Sequence, residues 1–222
     1  MASGDAWKLQ FDSFMEDCPG TTNKNWGFYV YLTYDKNEGN DDSAVVAKLR
    51  GHSEAHFRHL WKQPYGEQID AALHLDAVPL HGASSDQIRS HFKAHFYDAE
   101  EYVGPREHVV LVVDNEVLES VRAGPSPMIS LSEHSGTDSR YYSRTRGSNG
   151  EKNVFVKALE LGYDAGEEGE VHKSASRGRG GGVVWKGVLK VSPSKLHQLW
   201  TKIQVDLFPM LYNGDDSKIF GV

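Results

Sequence analysis

Between Asn25 and Tyr34 the chain is aromatic or β-branched at almost every position, with turn-forming residues on both sides. These residue types suit a pleated, buried surface, so the run predicts a first strand. A two-residue period puts Trp26, Phe28, Val30 and Leu32 on one face and Tyr29, Tyr31 and Thr33 on the other. A strand apolar on both faces belongs in the middle of a covered sheet. The tyrosine face, Tyr29 and Tyr31, is also a candidate ligand-pocket lining, because phenol rings combine an apolar body with a polar tip.

Downstream the period alternates. Ser43 to Trp61 carries Val46, Leu49, Phe57 and Leu60 on one helical stripe, weakened at Gly51, which predicts one helix or two shorter pieces. Residues 64–70 read as a turn, and 71–78 alternate as a second strand. Ser84 and Gln87 have the spacing of a capping box opening a helix with Ile88, Phe92 and Phe96 inward. Val109 to Val113 is a buried strand, and Asp114 caps a short helix carrying Val117, Leu118 and Val121. Strands follow at 154–161 and 183–191, expected to pair antiparallel, and Ser192-Pro193 opens a last helix with Leu196, Leu199, Trp200 and Ile203 inward. The order β-α-β-α-β-α-β-β-α predicts an α+β fold: a mixed, mainly antiparallel sheet with helices on one face, a ferredoxin-like plait with additions. All 222 residues are read as one domain with an acidic, loosely docked arm (1–24, one helical turn) and loops at 123–153 and 162–182.

Composition narrows the function. A net charge of −7 disfavours nucleic acid and anionic membranes as partners. The single cysteine, Cys18, excludes an intrachain disulfide, and its acidic surroundings make it a poor nucleophile. No signal-like start and no run near the roughly 18 apolar residues of a membrane span is present, so an intracellular, cytoplasmic setting is expected. P-loop, G-x-S-x-G and G-x-G-x-x-G patterns are missing, which disfavours the common NTPase, hydrolase and dinucleotide classes.

Four motifs, spread in order from Trp26 to Val191, carry a resemblance. They are Trp26-Gly27-Phe28 with Val30, Tyr31 and Tyr34; Gly82-Ala83-Ser84 with Ile88, Arg89 and Phe92; Val112-Val113-Asp114 with Glu116, Leu118, Ser120 and Val121; and Trp185 with Gly187 to Val191. Together they resemble a family of fungal intracellular proteins that has no assigned activity. The resemblance implies a fold and a lineage. Leu32 stands where that family often has arginine after the tyrosine, so no role of that arginine carries over.

Eleven histidines invite a search for chemistry. His52, His56 and His59 share a helix edge, as do His91 and His95; imidazoles four apart can share zinc if a third ligand arrives. Glu54 points away from the first edge, so this is not a zincin motif. The competing reading makes these histidines amphipathic surface residues bordering an apolar stripe, with no cofactor expected. His74, Asp76 and His81, near the end of the second strand, are the candidate acid/base set, and a solvated strand face explains them equally. Arg140, Tyr141, Tyr142, Arg144 and Arg146, with Arg177 and Arg179, mix cations and stacking rings as a single-stranded RNA path would. A non-enzymatic domain that binds a protein or small-molecule ligand is the first expectation. A small metal-assisted or cofactor-independent enzyme of specialised metabolism is the second, and RNA binding the third.

Overall fold

The computed structural model describes residues 3–16, 25–36, 41–61, 63–96, 108–127, 154–163, 186–203 and 218–220. Its elements are α1 (Ser3–Glu16), β1 (Trp26–Leu32), α2 (Asp42–Leu60), α3 (Tyr65–Ala71), β2 (Leu73–Pro79), α4 (Ser85–His95), β3 (Val109–Val113), α5 (Asn115–Ala123), β4 (Val156–Glu160), β5 (Val188–Val191) and α6 (Leu196–Ile203). A 3₁₀ turn, Pro193–Lys195, leads into α6.

The strands form one five-stranded open sheet in the order β2-β1-β3-β4-β5. β1 pairs parallel with both β2 and β3, while β4 runs antiparallel to β3 and to β5. The mixed α+β character follows the expectation, but only half of the pairings are antiparallel. Helices also cover both faces, which differs from a plait layered on one side. On one face Trp26, Phe28, Val30, Val109, Leu111 and Val156 pack under α1, α2, α5 and α6. On the other, Tyr31, Val110, Val112 and Leu159 pack under Ile88 and Phe92 of α4. The two faces follow from β1 itself, because a strand with two buried faces needs cover on both sides.

Trp26 is the centre of the larger core. Its ring meets Phe14, Phe57 and Trp200 edge-on at 5.4, 5.7 and 6.1 Å, and its indole N–H donates to the Ile69 carbonyl at 2.8 Å. Edge-to-face geometry suits the ring quadrupoles, and the satisfied N–H removes the cost of burying it. Phe14 and Met15 bury α1's end here, so the acidic arm is a 14-residue helix, longer than the expected single turn. Residues 65–71 are likewise helical where a turn was expected. α2 is continuous through Gly51.

Candidate functional site

The first place to look is the carboxyl end of the parallel strands. β2 and β3 flank β1, and the connections through α2 and α4 pass over opposite faces, so a topological switch point lies between the ends of β1 and β3. Open α/β sheets bind ligands in the crevice at such a point, often on a helix N-terminus. Here the crevice is laced shut. The Thr33 and Tyr34 amides both donate to the Val113 carbonyl, at 2.9 and 3.2 Å, and Asp35 and Asn115 exchange two further bonds. The helix N-termini are occupied as well. Asp41 accepts from the Ser43 amide at 2.9 Å, Ser84 from Gln87 at 3.3 Å and Asp114 from Val117 at 3.0 Å. Carboxylates and a hydroxyl of the chain itself thus take the donors that a bound phosphate would use.

Two polar clusters remain at this edge. The buried Tyr34 hydroxyl donates to Asp42, and the His81 Nε2 lies 3.8 Å from the same carboxylate. The Nδ1–H of His81 donates to the Tyr34 carbonyl at 2.9 Å, which ties α2's first turn to the end of β1 and the turn after β2. Burial, and then the bond to Asp42, raise the Tyr34 phenol above its ordinary range. Beside it, Lys157 bridges Asp114 and Glu116, and Lys190 reaches Glu116. Bonds from Lys157 and Lys190 hold the Glu116 carboxyl below its usual range. Burial alone would lower Lys157, but its bonds to Asp114 and Glu116 outweigh that and hold the ammonium above its usual value. These clusters pin helices to strands, and of their buried atoms His81 Nε2 lacks a hydrogen bond among the described residues.

The residues singled out from sequence fall in different places. His74 is exposed beside Gly27 in the register, whereas His81 lies beyond the other end of β2. At about 3.3 Å per residue that separation exceeds about 15 Å, so the two imidazoles do not share a proton with Asp76 between them. The tyrosine face is covered by α4. Tyr31 is fully buried with its hydroxyl against His91, and Tyr29 packs on Phe92 and Phe96.

His52 and His56 are not surface residues; they are buried where α2 meets α6. His56 packs on His197 with ring centroids 4.7 Å apart, a partner with no local signal in the sequence. Burial, and then the charge of Lys48, push His52 down to about 4; burial, and then Lys195, push His197 down to about 4 as well. His52 Nε2 and His197 Nδ1 have no hydrogen-bond partner among the described residues. Only the backbone of His59 is described. Among the described residues no group of three or more His, Cys, Asp or Glu side chains is arranged to hold a metal ion. Arg140, Tyr141, Tyr142, Arg144, Arg146, Arg177 and Arg179 lie outside the described residues, as do most of the two long loops.

A concave site opens at the opposite end of the sheet, where α4 passes the start of β3 and the end of β4. The cleft measures about 440 Å³ and is lined by Arg89, Ser90, Phe92, Lys93, His108, Leu161 and Gly162. Arg89 is held in place: its Nε donates to the Glu160 carbonyl at 3.0 Å, one Nη to Asp86 at 2.9 Å, and its guanidinium lies 5.4 Å from the Tyr163 ring centroid. Lys93 and His108 are exposed at the rim. Apolar side chains beneath a small set of polar groups is the usual make-up of a ligand site. No single sequence motif spans this cleft: Arg89 and Phe92 stand in one of the four motifs, but the lining comes from three separate segments. Compared with protein-family models, curated proteins and solved structures, the chain matches none. No described helix is long and apolar enough to cross a membrane.

Proposed function

We propose that this chain is a non-enzymatic binding domain, and that its ligand is a small anionic molecule with an apolar body, seated in the cleft beside α4. The observation that carries this reading is the cleft's composition. Phe92 and Leu161 offer apolar contact, while Arg89 and Lys93 bring positive charge and His108 a polar ring on a chain of net charge −7. A local cationic patch beside low-dielectric walls focuses the field and selects anions against the overall repulsion. Arg89 is already oriented by its bonds to Glu160 and Asp86, so its ordering precedes binding. The laced switch-point crevice supports the same choice of site, since the helix N-termini that would take a phosphate there are filled by Asp41, Ser84 and Asp114. Membership in the fungal family belongs to the same proposal and rests on the four motifs.

The test is a titration of the full chain with aromatic carboxylates and phosphate monoesters, each beside its neutral amide or alcohol. Anionic members should bind and raise the melting temperature, and Lys93→Glu should remove both effects while the ligand-free melting temperature stays close to that of the parent chain. Equal binding of the neutral analogues, or unchanged affinity in Lys93→Glu, would overturn the reading.

A further inference from the structure

The flank of α4 turned away from the cleft carries a second arrangement. At about 100° per residue, His91 and His95 lie on the side of the helix opposite Arg89 and Lys93, one turn apart on a common edge. Their rings are stacked, with centroids 4.1 Å apart and planes within 15°. Two imidazolium rings would repel in this geometry. Neutral imidazole, the form that stacks without this repulsion, is also the form that binds metals.

Each ring is also held by its Nδ1. His95 Nδ1–H donates to the His91 main-chain carbonyl at 2.9 Å. A carbonyl only accepts, so this bond places the proton on Nδ1 and the lone pair on Nε2. His91 Nδ1 lies 3.1 Å from the Tyr31 hydroxyl. A neutral phenol can accept as well as donate, and burial keeps Tyr31 neutral by raising its pKa. The buried hydroxyl donates to Nδ1 in the metal-free chain; a metal on Nε2 would select the other tautomer, in which Nδ1–H donates to the phenol oxygen. Metal-binding histidines are oriented in this manner, the non-ligating nitrogen fixed by a carbonyl or another polar acceptor. Among the described residues neither Nε2 makes a hydrogen bond.

We infer that His91 and His95 form a two-imidazole clamp for a divalent transition-metal ion, of the Zn²⁺, Ni²⁺ or Cu²⁺ type, with both Nε2 atoms as ligands. Nitrogen ligands at about 2.0–2.1 Å in neighbouring coordination positions stand about 3 Å apart with converging lone pairs, so both rings must turn out of the parallel stack to share an ion. Imidazole suits these ions, whereas Mg²⁺ and Ca²⁺ prefer oxygen ligands. No third ligating side chain completes the set among the described residues. The clamp is therefore open, and the remaining positions fall to water or to a donor atom brought by another molecule. It lies apart from the anion cleft and stands or falls independently of it.

The experiment is a titration of the metal-free full chain with CuCl₂, ZnCl₂, NiCl₂ and, as control, MgCl₂, with electron paramagnetic resonance of the first Cu²⁺ equivalent. The spectrum should show coupling to two imidazole nitrogens. His95→Ala, at an exposed position, should reduce the two couplings to one or none and weaken the first equivalent by at least about tenfold, and Tyr31→Phe should weaken it through lost orientation of His91. Lys93→Ala should leave it unchanged. First-equivalent affinity and spectrum that are the same in His95→Ala and the parent chain would overturn the clamp, as would a spectrum without two-nitrogen coupling.

Discussion

At the scale of single residues, Gly27 and Trp26 determine how closely the sheet can pack. Gly27 sits in β1 with φ of +141°, beside His74 of β2. An added Cβ there would overlap the His74 main-chain carbonyl. Gly27→Ala should therefore combine backbone strain with a steric clash against a neighbouring strand that cannot move aside. A loss of about 3 kcal/mol or more in urea unfolding is expected. Trp26→Ala should cost about 3–5 kcal/mol by the same measurement, since it empties the point where α1, α2 and α6 meet β1. A loss below about 1 kcal/mol at either position would mean that these contacts do not hold the sheet as described.

Among the elements, the clearest local signal was the capping box of α4. Ser84 accepts from the Gln87 amide and Gln87 reaches back to the Ser84 amide at 2.8 Å, as the spacing predicted. Ser84→Ala should cost about 1 kcal/mol. Asp114→Ala should cost more, because Asp114 both caps α5 and accepts from Lys157, whose half-buried ammonium would be left with Glu116. Equal losses in the two variants, read by denaturant unfolding, would show that the Lys157 contact adds nothing beyond the cap. α2 illustrates the opposite case, where local propensity misled. Gly51 costs a helix about 1 kcal/mol relative to alanine, yet Leu49, Ala55 and Phe57 bury this part of α2, and tertiary packing outweighs the local preference.

The whole molecule responds to acid through the histidines buried between α2 and α6. His52 and His197 are pushed down to about 4 in the folded chain, against an ordinary value of 6.5. Between these values the unfolded chain takes up protons that the folded chain refuses. Stability is thus complete above pH 6.5 and falls as the pH drops toward 4. The melting temperature should fall by about 5 °C or more between pH 7 and pH 5, followed by circular dichroism. In His197→Phe the dependence over this window should be shallower. A flat profile in the parent chain would show that the two rings are more hydrated than their burial implies.

The sequence by itself determined the elements whose reasons are local. β1 reads as central because both of its faces are apolar, and α4 and α5 begin where Ser84 and Asp114 can cap them. The antiparallel pairing of β4 with β5 was legible for a related reason, since two successive strands of matching pattern can fold back on each other. Tertiary structure alone decided that β2 and β3 lie on opposite sides of β1, which closed the switch point with hydrogen bonds and left the concave site at the other end. It also brought His197 against His56, and Arg89 and Lys93 against His108 and Leu161. Periodicity records which face of an element is buried, whereas a site assembled from distant segments depends on which element covers that face.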